Sequence, residues 1–67
     1  MNLLEWHALA SRKVARYDAA ECVTSLAECH HTLKVFGSDI GEDWGIKIWA
    51  EIDALRERQR SLSEVAA

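Results

Sequence analysis

The chain has 67 residues, of which 49% are hydrophobic and 28% are charged, and its formal net charge is −3. A chain this short forms at most one domain, here 1–67, and such domains bury only about 60% of the surface that the unfolded chain exposes. No apolar run approaches the roughly 20 residues of a membrane span, and no basic segment precedes an apolar one near the start. We therefore expect a single cytoplasmic domain that has no membrane partner.

The first predicted element is one long helix over about residues 2–36. From Asn2 to Phe36 the sequence contains neither Gly nor Pro, so no residue requires a break. The second half of this helix has apolar residues in alternating steps of four and three, which places them on one face. The first half carries a different apolar face, formed by Leu3, Trp6, Ala10, Val14 and Tyr17.

A break near Tyr17 is the alternative to this continuous helix. The segment from Asp18 to Glu21 has the form of a capping box, with an acceptor followed three residues later by a glutamate. A break there would give three helices instead of two. Because the intervening Ala residues favour helix, we predict that the helix continues through this segment, with a bend at most.

The second predicted element is a helix over about residues 40–63, which follows a turn at residues 37–39. Gly37 is expected to adopt the left-handed conformation that ends a helix, and the residues from Asp39 to Glu42 form a second capping-box pattern. The second helix again carries an apolar face. Two apolar faces on either side of a short turn predict an all-α, two-helix antiparallel hairpin.

The hairpin has more apolar surface than two helices can cover. Three tryptophans in 67 residues are a high count, and Trp44 and Trp49 are five apart, so they cannot both face the first helix. We expect a homodimer, assembled as a four-helix bundle, to bury them. The residues expected in the hairpin core or at the dimer interface are Cys22, Leu26, Cys29, Leu33, Phe36, Trp44, Ile48, Trp49, Ile52, Leu55 and Leu62.

The helix lengths leave the start of the chain without a partner. At 1.5 Å per residue the first helix spans roughly 50 Å and the second roughly 35 Å, so the first dozen residues would project beyond the hairpin. Arginines from both helices should gather at the open end of the hairpin, beside the apolar side chains of these first residues. We expect this end to bind a larger host protein through Leu3, Trp6, Ala10, Tyr17, Arg12, Arg16, Arg56 and Arg60.

The predicted function is that of a small protein–protein interaction module. Tryptophan, tyrosine and arginine dominate binding hot spots, so such a module would modulate or inhibit its partner through helix faces, as small phage or plasmid regulators do. The alternative is nucleic-acid binding, in which the open-end arginines contact phosphates. The hairpin topology resembles that of the Rop family, whose dimeric hairpins bind RNA. The net negative charge and the single Tyr and Phe weigh against this alternative.

Nothing in the sequence indicates catalysis or a cofactor. Cys22 and Cys29 are seven apart on a helix, about 10 Å along its axis, which is too far for a disulfide within the chain. Together with His7, His30 and His31 they match no known zinc spacing. No Gly-rich phosphate loop or nucleophile–base arrangement is present. We expect reduced core thiols, no metal site and no enzymatic activity.

Overall fold

The computed structural model describes the backbone of residues 2–66 and the side chains of residues 2–64. It contains three helices, α1 (Leu3–Val14), α2 (Ala19–Phe36) and α3 (Glu42–Ala66), and no strand among residues 2–66. The all-α class is therefore confirmed, whereas the predicted number of helices is wrong. None of the three described helices is long and apolar enough to cross a membrane.

The predicted long helix over residues 2–36 is interrupted at residues 15–18. Asp18 is the N-cap of α2, with φ −84° and ψ 178°. Its side chain accepts a hydrogen bond of 2.8 Å from the Glu21 backbone, and Glu21 accepts one of 3.2 Å from the Asp18 backbone. These reciprocal bonds satisfy two donors at the start of α2 and outweigh the helical preference of the alanines. The alternative break near Tyr17 is the correct prediction.

The connection between α2 and α3 differs in detail from the expected turn. Gly37 has φ −52° and ψ −38°, so it is not left-handed. Glycine is required there because a Cβ atom would lie 2.5 Å from the carbonyl oxygen of Leu33. The Phe36 carbonyl accepts bonds of 2.8 Å from the backbones of Asp39 and Ile40. Consequently α3 begins at Glu42 instead of residue 40.

Helix α3 is the element on which the other two pack. Helix α2 runs antiparallel to α3. Phe36, at the end of α2, contacts Trp44 near the start of α3. Cys29, earlier in α2, contacts Glu51, which lies later in α3. Contacts between α1 and α2 are few. The Cα atoms span 40 × 23 × 14 Å, so the shortest dimension holds only two helices side by side.

Helix α1 crosses α3 steeply instead of running beside it. The adjacent residues Trp6 and His7 contact Lys47 and Glu57, respectively. Those two positions on α3 are separated by about 15 Å along the helix axis. Because neighbours on α1 reach such distant points, one flank of α1 faces the first part of α3 and the other flank faces the last part.

The core lies where these helices meet. Its buried members come from all three helices and are Ala10, Val14, Cys22, Cys29, Ile48, Ile52, Ala54 and Leu55. Tyr17, Leu26, Leu33, Ile40 and Leu62 pack at its margin. Small residues dominate the contact between α1 and α3, which allows the two backbones to approach closely.

Several placements differ from those predicted. Phe36, Trp44 and Trp49, expected in the core or at a dimer interface, are about half exposed and so do not belong to the core of the single chain, while a dimer interface for them stays a prediction. Ala10, expected to bind a partner, is 4% exposed and belongs to the core. The first dozen residues do not project, because the break at residues 15–18 lets α1 fold back onto α3. The predicted dimerisation into a four-helix bundle stays a prediction, because the structure describes a single chain.

Candidate interaction surface

An open groove runs between the three helices. Its volume is about 340 Å³, and α3 forms its floor with Ile48 and Glu51. Tyr17 closes the end nearest the link between α1 and α2, and Trp44 closes the opposite end. The groove is therefore bounded by an aromatic side chain at each end and has a charged residue in its floor.

A second, smaller groove of about 170 Å³ continues the first one towards the start of α1. It is lined by Trp6 and Leu9, and it shares Lys13, Lys47 and Glu51 with the larger groove. The two grooves thus form one continuous surface. We call this the groove surface and define it by Trp6, Leu9, Lys13, Tyr17, Cys29, Trp44, Lys47, Ile48 and Glu51.

Glu51 lies at the centre of the groove surface and contacts one side chain from α1 and one from α2. One carboxylate oxygen accepts a hydrogen bond of 3.1 Å from Nζ of Lys13, on α1. The other is 3.7 Å from Sγ of Cys29, on α2. The hydrogen bond to Glu51 is the main reason that the pKa of Lys13 is raised above its ordinary value. Lys13 is therefore held as a cation by an internal partner.

Both cysteines are buried and free. Burial raises the pKa of the Cys29 thiol, and the charge and hydrogen bond of Glu51 raise it further. Burial likewise raises the pKa of Cys22. Because the thiolate is the nucleophile and the metal ligand, neither cysteine is primed for those roles near neutral pH. Among the described side chains, no group of three or more His, Cys, Asp or Glu residues could hold a metal ion.

Aromatic side chains form the rim of the groove surface. The rings of Phe36 and Trp44 have centroids 6.2 Å apart at an interplanar angle of 33°, and both are about half exposed. Trp6 is half-buried beneath Lys47, whose Nζ lies 5.4 Å from the ring centroid. Its Nε1 is buried and has no hydrogen-bond partner among the described residues. Trp6 is thus a wall of the groove and not the protruding anchor that the sequence predicted.

The remaining residues predicted to bind a partner are spread over several surfaces. Leu3 is about half exposed near the start of α1. The side chains of Arg12, Arg16, Arg56 and Arg60 are exposed. In contrast, Arg58 donates a hydrogen bond of 3.0 Å to the Tyr17 carbonyl, and Lys13 is paired with Glu51. Arg58 and Lys13 are therefore engaged within the chain, whereas the four predicted arginines are not buried.

Sequence reasoning missed the role of Glu51, although the pattern contained a signal for it. Ile48, Glu51 and Leu55 follow one another in steps of three and four, which is the spacing of a helix face that packs inward. A charged residue at such a position has to find partners from the packed elements. Lys13 and Cys29 are those partners, but their distance along the chain hides them from a local pattern.

No protein-family model, curated protein or solved structure is significantly similar to this chain.

Proposed function

We propose that this chain is a small interaction module that binds a larger protein through its groove surface and modulates or inhibits that protein. The observation that carries the proposal is the half-exposed ring of Trp44 at the groove, with the half-exposed ring of Phe36 packed beside it. Large aromatic side chains beside a cavity are the usual anchors of protein interfaces.

The total surface of the chain supports this proposal. The chain exposes 4839 Å², whereas a compact monomer of 7.6 kDa is expected to expose about 4,300 Å². The excess includes large apolar side chains on every helix, and Leu4 alone is 79% exposed. A partner that covers such side chains removes apolar surface from water, which favours binding.

The groove surface also has polar groups that fit a protein partner. The ammonium group of the exposed Lys47, above the Trp6 ring, would donate a hydrogen bond to a carbonyl oxygen of the partner. An apolar side chain of the partner would enter between Tyr17 and Trp44. We assign the chain by analogy to the class of small phage or plasmid regulators, on the basis of its size and composition. A cytoplasmic location suits its free, buried thiols.

Self-association belongs to the same proposal. Trp49 is 51% exposed on α3, away from the positions that contact α1 and α2. An exposed tryptophan side chain does not stabilise a monomer. A homodimer would reduce the apolar surface that the single chain leaves in water.

The proposal is tested by isolating the partner and measuring its affinity for surface variants. The tagged chain is incubated with nuclease-treated lysate of its source, and the protein retained is identified and purified. We expect Trp44→Ser to weaken binding of that protein about 30-fold, as the loss of a hot-spot tryptophan does. Val23→Ser is the matched control, because Val23 is 59% exposed on α2 but lies outside the groove surface. Equal affinity of both variants, with helicity intact, would contradict the proposed site.

The nucleic-acid alternative predicts a different result from the same experiment. Arg12, Arg16, Arg56 and Arg60 are exposed, so phosphate contacts would come from these four side chains. The bound material would then disappear after nuclease treatment, and replacing Arg56 and Arg60 by Glu would reduce the salt dependence of binding. Trp44→Ser would leave that binding unchanged.

A further inference from the structure

The link between α1 and α2 spans residues 15–18. Ala15 has φ −56° and ψ −24°, which is helical backbone. None of the described residues has a positive φ, and residues 15–18 contain neither Gly nor Pro. At Asp18 the backbone is extended, with ψ 178°. If the link over residues 15–18 became helical, α1 and α2 would join into a single helix.

Few interactions hold the corner closed. They are the capping box between Asp18 and Glu21, and the hydrogen bond from Arg58 to the Tyr17 carbonyl. A continuous helix would replace them with backbone hydrogen bonds through residues 15–18. Ala15, Ala19 and Ala20 flank the corner, so local helix propensity favours the continuous form once the cap is lost.

The contact between α1 and α3 is separable from the rest of the fold. Ala10 and Val14 pack with Ala54 in the core, while Lys13 bonds to Glu51 and His7 pairs with Glu57. Helix α2 keeps its own contact with α3, and it contacts α1 little. The face of α3 that receives α1 is thus complementary to α1 of any copy of this chain.

We infer that two copies exchange α1. In the exchanged dimer, α1 and α2 form one continuous helix, and α1 of each copy packs on α3 of the other. All contacts between α1 and α3 are remade between chains, and only the corner changes, which is the condition for domain swapping. This inference rests on the proposed self-association and names the surface through which it occurs.

Two substitutions should shift the equilibrium between the closed corner and the continuous helix in opposite directions. Ala19→Pro keeps it closed, because proline is favoured at the first position of a helix and requires an extended residue before it, as Asp18 already is. In a continuous helix the same ring would clash with the carbonyl of Ala15. Asp18→Ala removes the cap and favours the continuous helix. Asp53→Ala, exposed on α3, is the control.

The test measures the dimer association constant of the purified full chain by sedimentation equilibrium. We expect Asp18→Ala to raise it at least tenfold, Ala19→Pro to lower it at least tenfold, and Asp53→Ala to change it less than twofold. Circular dichroism verifies that each variant is helical. Equal association constants for Asp18→Ala and Ala19→Pro would overturn the exchange.

A second measurement uses the unaltered chain and does not depend on any variant folding. In a mixed dimer of isotope-labelled and unlabelled copies, we expect nuclear Overhauser contacts between the methyl groups of Val14 and Ala54 to connect different chains. If the chain dimerises and these contacts stay within one chain, the exchange is overturned while self-association stands. If the chain is monomeric at millimolar concentration, both fail, whereas the binding of a larger protein is judged separately by Trp44→Ser.

Discussion

Nε of Arg58 donates a hydrogen bond of 3.0 Å to the backbone carbonyl of Tyr17, a residue 41 positions earlier in the chain. Tyr17 lies in the link that follows α1, where the interruption of the helix leaves carbonyl groups without intrahelical donors. Helix α3 therefore supplies a donor that the interrupted helix lacks. This bond connects the corner between α1 and α2 to the helix on which both pack.

Removal of this donor is expected to destabilise the fold. Arg58→Ala leaves the partly buried Tyr17 carbonyl without its charged partner, and we expect a loss of about 1.5–3 kcal/mol in the free energy of unfolding. Arg56→Ala, which replaces an exposed arginine on the same helix, should change it by less than about 0.5 kcal/mol. Urea denaturation followed by circular dichroism measures both. Similar values for the two variants would show that the bond contributes nothing.

The same bond explains why the number of helices could not be predicted from the sequence. The capping box from Asp18 to Glu21 was visible, but its residue types also occur inside helices. The packing of α1 on α3 and the hydrogen bond from Arg58 decide between a continuous and an interrupted helix. Neither can be predicted from the residues near the corner. The apolar faces were easier to predict than the number of helices. A repeat of three and four residues places Cys22, Ile48 and Ile52 on an inward face, whether the first helix is continuous or interrupted.

The steep crossing of α1 over α3 depends on small side chains at the point of contact. Ala54 is 2% exposed there, and a larger residue would force the helices apart. We expect Ala54→Leu to lower the free energy of unfolding by about 1–3 kcal/mol, as overpacking does. Ala27→Leu has the same change in volume and helix propensity on an exposed part of α2, so it should be nearly neutral. Thermal unfolding compares the two, and an equally mild effect of both would contradict the close crossing.

The two glycines that flank the second turn should respond differently to alanine. A Cβ atom at Gly37 would lie 2.5 Å from the backbone oxygen of Leu33, whereas one at Gly41 would meet nothing within 4 Å. We expect Gly37→Ala to destabilise the chain by about 0.5–3 kcal/mol. Gly41→Ala should be neutral or stabilising by up to about 1 kcal/mol, because it reduces the entropy of the unfolded chain. Chemical denaturation gives both values, and a neutral Gly37→Ala would refute the steric argument.

The groove surface was only partly foreseeable. Trp6 and Tyr17 were chosen as partner-binding residues, and both lie on it, but as half-buried walls instead of projecting anchors. Trp44, expected in the hairpin core or at a dimer interface, lines the groove of the single chain. The composition indicated that aromatic residues were in excess of what one hairpin can bury, whereas the break at residues 15–18 determines which of them face the groove.

The interaction of Glu51 with Lys13 and Cys29 predicts a loss of stability at alkaline pH. The pKa of Cys29 in the fold is raised above its ordinary value of 9.0, mainly by burial and then by Glu51. The pKa of Lys13 is raised above 10.5, mainly by its bond to Glu51. A group with a raised pKa binds its proton more tightly in the folded state, so its stabilising contribution is complete below the ordinary value and is lost as pH rises through the folded value.

We therefore expect the free energy of unfolding to be nearly constant between about pH 7 and 8 and to fall at higher pH, as the thiols and then Lys13 lose their protons. Glu51→Gln removes the negative charge and should lower the pKa of Cys29, with burial still holding it above 9.0. Glu42→Gln, at the exposed start of α3, is the control. The carbon-13 shift of the cysteine Cβ, followed through a pH titration, measures the pKa directly. An identical Cys29 titration in the Glu51→Gln variant and the unaltered chain would mean that Glu51 does not act on the thiol.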